Sequence, residues 1–386
     1  MSKQRIYLDY AAATPLDERV LRAMLPYFQD DFYNPSAAYL AARSVKKDVA
    51  AARSTIAHLI GARDSEVIFT AGATESVNLA ISGVLAANAG KTFVTITAEH
   101  ASVLALADKH GATQVRIDAH GHLSVQELIA AITDEVVLIS IALINNELGT
   151  IQPIKDIASE VAALRRERLS RGNRLPLYLH IDASQAAGHI DLHVARLGVD
   201  MMTLNAAKVY GPKQVGLLYV GTHVAITPVI VGGGQERGLR SGTENVAGII
   251  GFAEALRIAE ELRHDETAQL ENLRHIAIQK LISIPGTQIN SPAKRSSPHI
   301  LNVSFEGIDG ERLLMQLDER GVMVATGSAC AANHNTRSHV LEAIGLSDEL
   351  IAGSLRLSFG RETTEAEIET ACEQIAELVG LQRGRS

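Results

Sequence analysis

From about residue 60 to residue 220 the chain alternates short β-branched runs with helical stretches, and that rhythm leaves few folds open. Seven runs read as strands: residues 67–70, 93–97, 115–118, 136–144, 177–181, 201–204 and 215–220. Strands that are apolar along their whole length are buried on both faces, and joined by helices they build a mostly parallel sheet covered on either side. The expectation is an α/β fold whose larger part carries a mostly parallel seven-stranded sheet. In such sheets ligands bind outside the carboxyl ends of the strands, so the residues just after each run are the site candidates.

That rule, fitted to no motif, selects a chemically coherent set. After the first run comes Ala71-Gly72-Ala73-Thr74-Glu75, small residues opening a helix. Free N–H groups and the helix dipole favour a phosphate there, although Thr74 also suits the ordinary role of a helix cap. Glu99-His100 follows the second run, where His100 is either an acid/base or ring-stacking group or a histidine satisfied by its neighbours. The fourth run ends in Asn145-Asn146-Glu147-Leu148-Gly149, the fifth in Asp182 with Gln185 three residues on, and the sixth in Leu204-Asn205-Ala206-Ala207-Lys208. Taken singly, Lys208 or Asp182 would be a surface charge; polar groups at five strand ends together point to a cofactor site. A reactive amine and a buried carboxylate at adjacent strand ends are what pyridoxal phosphate requires, the amine for a Schiff base and the carboxylate for the pyridinium nitrogen.

A chain of 386 residues exceeds one ordinary core and suggests two domains. Beyond the sheet, residues 253–284 read as one amphipathic bridging helix. A strand at 300–305, a helix at 310–320, a strand at 321–326, a loop and helix, a strand at 354–360 and a helix at 363–379 follow, as a smaller α+β unit. The expected division is a large domain over 15–255 and a small domain made of 1–14 and 256–386. Hydrophobic content of 46% with 21% charged residues suits a soluble enzyme, and a net charge of −8 argues against a nucleic-acid surface. No apolar run approaches the ~20 residues of a membrane span, and Met1 to Ile6 lacks an apolar signal core, so the expected location is the cytoplasm.

Two cysteines form neither a disulfide framework nor a metal-ligand spacing, and no metal site is expected. Cys372 shares a helical face with Ile368, Ile375 and Leu378 and reads as a buried structural thiol. Cys330 lies in the small, polar run Ala325-Thr326-Gly327-Ser328-Ala329-Cys330-Ala331-Ala332-Asn333-His334 and reads as a nucleophile or sulfur carrier. The glycine-rich stretch 232–243, with Arg237 and Arg240, suits an anion site or a subunit contact, with a flexible surface loop as the alternative.

Tyr7-Leu8-Asp9-Tyr10-Ala11-Ala12-Ala13-Thr14-Pro15, then Asn34-Pro35-Ser36, then Arg356-Leu357-Ser358-Phe359-Gly360-Arg361 occur in an order and spacing that carries a family signature. Nearly end to end, the chain resembles the cysteine desulfurases of the NifS/IscS branch, within the pyridoxal-phosphate enzymes of aminotransferase class V. The resemblance implies a homodimer of transferase fold type I, with Lys208 as the Schiff-base lysine and Asp182 on the pyridinium nitrogen. It implies that Gln185 contacts the ring hydroxyl and that His100 stacks on the ring and assists proton transfer. Ala73 and Thr74 would hold the phosphate, helped by Asn205 and by Thr243 from the other subunit. Asn146, also placed at the cofactor, and Arg356 would grip the substrate carboxylate, with Asn34 beside them. Cys330 would be the nucleophile, taking sulfur from L-cysteine as a persulfide, releasing alanine and handing the sulfur to an acceptor protein for iron-sulfur assembly or for tRNA or DNA thiolation.

The chain also departs from the family pattern. Ala207 stands where a phosphate-donating histidine is usual, Asn205 where serine is usual, Tyr39 where histidine is frequent and Ala42 where glycine is frequent. Loss of one hydrogen bond to a charged group costs about 1.5 to 3 kcal/mol. Two other readings follow: a selenocysteine lyase or another class V enzyme, and, from Ala207, a cofactor-poor scaffold of the sulfur machinery. The Gly-Ser-Ala-Cys run at Cys330 disfavours an aminotransferase.

Overall fold

The computed structural model describes residues 5–326 and 337–384. Its strands are β1 Ile6–Tyr7, β2 Val67–Thr70, β3 Thr92–Ile96, β4 Thr113–Val115, β5 Val136–Ala142, β6 Tyr178–Asp182, β7 Met201–Asn205, β8 Gly216–Val220, β9 Thr287–Ile289, β10 Ile300–Phe305, β11 Val322–Met323 and β12 Ser354–Ser358. The seven from β2 to β8 form one sheet in the order β2-β8-β7-β6-β5-β3-β4. Neighbours from β4 through β7 run parallel, and only β8 is antiparallel to its neighbours β2 and β7. All residues of β5, β6 and β8 are buried, which is why these strands show as unbroken apolar runs and not as alternation.

Each face of the sheet has its own core. Helices Ala73–Ala87 and Ala101–His110 cover one, with Val77, Ile81, Val103, Phe93 and Leu218 packed together. On the other, helices Leu40–Ile60 and Ile154–Ser170 and the start of helix Val246–Ile282 meet Val94, Ile139, Ile181 and Leu204. That long helix begins earlier than its sequence suggests. Asn245 caps it by accepting from the Gly248 N–H at 3.1 Å, and Gly251, a weak helix former, is there for close packing: a Cβ would meet Met24 Sδ at 2.6 Å.

The second half of the long helix belongs to a different core, where Leu270, Leu273, Ala277 and Leu281 pack with Phe305, Leu357, Phe359 and Ile375. A three-stranded antiparallel sheet, β12-β10-β9, and a parallel pair, β1-β11, build this part. The strand expected at 321–326 shrinks to Val322–Met323, and the one expected at 115–118 shifts to Thr113–Val115. Ile117 instead bridges Leu123 while Asp118 Oδ1 accepts from the His120 and His122 N–H groups. From β1 the chain crosses back to the large sheet, where Thr14 N donates to Ala207 O at 3.1 Å and Tyr210 N to Thr14 Oγ1 at 2.8 Å. Among the described residues no helix is long and apolar enough to cross a membrane.

Candidate active site

Because β2, β3, β5, β6 and β7 run the same way, the residues after them gather at one edge of the sheet. Asp182 ends β6 and is buried. Both Ser184 donors fall on its Oδ1, the N–H at 2.9 Å and the hydroxyl at 2.6 Å, and among the described residues Oδ2 receives no hydrogen bond. A carboxyl oxygen held in place and left without a donor fits a pyridinium N–H.

Lys208 closes the 3-10 turn Ala206–Lys208 on the neighbouring strand. Its Nζ donates to Ala11 O at 2.7 Å and to Ala12 O at 2.6 Å, so the amine is aimed by the carbonyls of the crossing segment. Gln185 Nε2 donates to the same Ala11 O at 3.0 Å. His180, two residues before Asp182, lies inside the sheet between Ser140 Oγ and Thr203 Oγ1, each 2.9 Å from the ring, and burial holds its pKa well below the usual histidine range.

At the β2 end lies a cavity of about 590 Å³, lined by Gly72, Ala73, Thr74, Asn205, Ala207 and Lys213 among others. Its back wall depends on Gly216, where a Cβ would come within 2.7 Å of Gly72 Cα. The helix Ala73–Ala87 opens onto it with no side chain capping its first turn, so its N–H groups remain for an anion. Asn205 Oδ1 accepts from Ala207 N at 3.2 Å, which leaves the Asn205 amide nitrogen as a donor. Lys213 adds positive charge, and burial lowers its pKa. This donor set fits a phosphate. Arg240 also lines the cavity but is paired with Glu75 at 2.8 Å, while Arg237 donates to Asp64 O, so both arginines of the glycine-rich stretch have partners within the chain.

The β5 end is crowded with charge. Arg356 on β12 is buried, donating from Nη2 to Asp9 Oδ1 at 2.7 Å and from Nη1 to Asn146 O at 3.0 Å, and its buried Nε has no partner among the described residues. Asn145 shapes the turn by accepting from the Glu147 and Leu148 N–H groups, and its own amide donates to Ala98 O. Glu147 is buried beside them, with burial raising its pKa to about 7 against the opposing pull of the Ser338 hydroxyl, Arg356 and His100. Ser338 donates to its Oε2 at 2.5 Å. Burial likewise pushes the Glu99 carboxyl well up; its Oε1 accepts from Ala142 N at 2.7 Å and its Oε2 has no partner among the described residues. His100 caps helix Ala101–His110, and because its Nδ1 accepts from Ser102 N at 3.1 Å, the ring proton resides on Nε2.

The structure thus brings Ala73, Thr74, Asn205, Lys208, Asp182, Gln185, Asn146, His100 and Arg356 to one edge. Asn34 is exposed, its Oδ1 accepting from Ser36 N, and Thr243 is exposed outside the cavity wall. Cys330 lies outside the described residues. Cys372 is 3% exposed, and burial pushes its thiol up to about 12. Sequence reasoning missed the Ala11 and Ala12 carbonyls, Glu147 as a titratable group, and Ser338.

Residues 6–370 match the family described as aminotransferase class-V. The chain belongs to that family. Among its class-V relatives, the cysteine desulfurase IscS of Clostridium botulinum is 41% identical over all of this chain and 97% of its own length, and IscS of Methanosarcina thermophila is 39% identical over 99% and 93%. A solved NifS-like protein superposes with a TM-score of 0.88 at 33% identity, covering 98% of this chain and all of its own. SspA, solved in complex with cysteine, reaches 0.79 at 35% identity over 92% of this chain and 99% of its own. This class-V chain therefore matches these relatives over nearly its whole length.

Proposed function

We propose that the chain is a pyridoxal-phosphate-dependent cysteine desulfurase with Lys208 as the residue that bonds the cofactor. The observation that carries the reading is the pairing of Lys208 and Asp182 at the ends of neighbouring strands β7 and β6, with a phosphate-fitting cavity on the same edge. When bound, the cofactor supplies an electron sink for the α-carbon of an amino acid. Asp182 Oδ2 would hold the ring N–H, Gln185 the ring oxygen, and Ala73, Thr74 and Asn205 the phosphate. Arg356 would take the substrate carboxylate with Asn146 and Asn34, a task suited to a planar guanidinium. Lys208 Nζ and His100 Nε2 would hold and pass the proton at the α-carbon.

Cys330 Sγ would then attack the sulfur of L-cysteine. An S–S bond forms, the substrate C–S bond breaks with its electron pair left on carbon, and the carbon takes a proton and leaves as alanine. The persulfide would go to an acceptor protein. The large domain would span 15–255, with 1–14 and 256–386 as the small one; the separate core around Leu273, Phe305 and Ile375 supports a second domain, while Ala11, Ile300 and Leu341 pack with the sheet. A homodimer is supported by exposed apolar residues, Phe28, Phe32, Tyr39 and Leu40 near the amino terminus and Val229 and Val231 beside the glycine-rich stretch, which a second copy would cover.

Alanine and sulfide released from L-cysteine test the reading. Wild type should form both in equal amounts with a thiol reductant present. Lys208→Ala should lose turnover by on the order of 10³-fold or more. Full turnover by Cys330→Ser would remove the nucleophile assignment, and turnover on selenocysteine with none on cysteine would select a lyase.

A further inference from the structure

Gln185 sits between two fixed points. On one side its Nε2 donates to Ala11 O at 3.0 Å, the same oxygen that accepts from Lys208 Nζ at 2.7 Å. A flipped amide would set two acceptor oxygens face to face, so nitrogen must occupy that position. On the other side Gln185 Oε1 lies 3.3 Å from His299 Nε2, and His299 Nδ1 lies 2.6 Å from Ser297 Oγ. An accepting Oε1 needs a proton on Nε2, and a neutral ring then offers Nδ1 as acceptor for the Ser297 hydroxyl. Every donor in the series meets an acceptor in only one arrangement.

The ring of His299 is itself fixed. It is 4% exposed and lies flat on His189, with centroids 3.9 Å apart and planes 7° apart. Burial, His189, Arg356 and Lys208 all keep its pKa well below the usual histidine range, so the neutral form persists. Ser297 is anchored in turn, its N–H donating to Gly149 O at 2.7 Å.

We infer that His299, through the Ser297–His299–Gln185–Ala11 series, is a positioning residue that locks the Gln185 amide with its nitrogen toward Lys208. Among the described residues the second N–H of Gln185 has no partner, so the lock presents a donor, and never an acceptor, beside the Lys208 amine. A fixed donor selects a ligand whose oxygen at that point is anionic. The inference rests on the proposed cofactor reading, in which that oxygen is the ring oxygen.

Two measurements test it. The first needs no cofactor: long-range proton–nitrogen correlation spectra of histidine-labelled protein, with the His299 signal assigned by its loss in His299→Gln. A neutral ring protonated at Nε2 is expected at pH 7, and a ring protonated at Nδ1 overturns the inference. The second is absorbance titration with pyridoxal phosphate. His299→Leu should bind roughly tenfold more weakly, as expected when one hydrogen bond to a charged group is lost. His299→Gln, which can still donate to Gln185 Oε1, should stay within about twofold of wild type by the same reasoning. Equal weakening in both variants, or none in His299→Leu, overturns it. A wild-type chain that binds no pyridoxal phosphate sinks the cofactor reading instead, and the tautomer measurement still decides the Gln185–His299 link.

Discussion

At the β5–β7 end of the sheet edge the polar side chains hold one another, whereas at the β2 end the wall offers open helix N–H groups and the Asn205 amide, with the methyl of Ala207 between them. Arg356 reaches Asp9 and Asn146, Glu147 holds Ser338, and Lys208 and Gln185 share one carbonyl. Opposite them, Asn205 spends its oxygen on the Ala207 N–H, and Lys213 Nζ donates to the Thr14 carbonyl. The first region is organised before any ligand arrives. The second is a space whose helix N–H groups and Asn205 amide nitrogen are left to a ligand. Substitutions in the first should therefore be felt in stability as well as turnover, and those in the second chiefly in affinity.

Arg356→Ala would strike the organised end hardest. Removing one member of a buried ion pair costs about 3 to 5 kcal/mol, so the urea midpoint should fall steeply and KM for L-cysteine should rise in the fraction that stays folded. A variant that melts like wild type would show that this end is less interdependent than its hydrogen bonds indicate.

Glu147→Gln carries a pH signature. Burial raises the folded carboxyl to about 7, above its value of 4.5 in the unfolded chain. The folded state therefore keeps a proton that the unfolded state releases, and Glu147 favours folding fully only below pH 4.5. That contribution declines as pH rises through about 7. The amide does not titrate, so Glu147→Gln should gain on wild type between pH 5 and pH 8, by an amount on the order of 3 kcal/mol. Urea unfolding at both pH values checks this, and a constant difference would mean that Glu147 stays ionised throughout.

Ala207→His probes the sparse end. Adding a phosphate donor should tighten pyridoxal phosphate binding roughly tenfold or more, read by absorbance titration, with unfolding of the cofactor-free chain little changed. Cys372→Ala, in the second core and far from both ends, should cost about 1 kcal/mol and leave desulfurase turnover unchanged.

The comparison also explains what could be read from the sequence. Strands β5, β6 and β8 were legible because complete burial filters out polar residues, and Asp182 and Lys208 were legible because they interrupt that pattern where ligands bind. β1 was not, since a two-residue strand has no period, β11 was read too long, and the reversed direction of β8 leaves no mark in composition. The aim of Lys208 was hidden for a different reason: its partners are the backbone carbonyls of Ala11 and Ala12, which any residue would supply. Glu147 was visible only as one letter of a polar turn, because its proton depends on burial among groups as distant in sequence as Ser338 and Arg356. His299 was invisible as a partner of Gln185, being brought there by β10, a strand of the other core.

Helix Val246–Ile282 runs for 37 residues, about 55 Å at 1.5 Å per residue, and puts Phe252 and Leu256 in one core and Leu270 and Leu281 in the other. Neither core can melt without stripping half of the same rod, so the two halves of the chain are thermodynamic hostages to each other. Heat should take them apart in a single calorimetric step, and the spacing between Arg356 and the sheet edge is preserved for as long as the protein is folded at all.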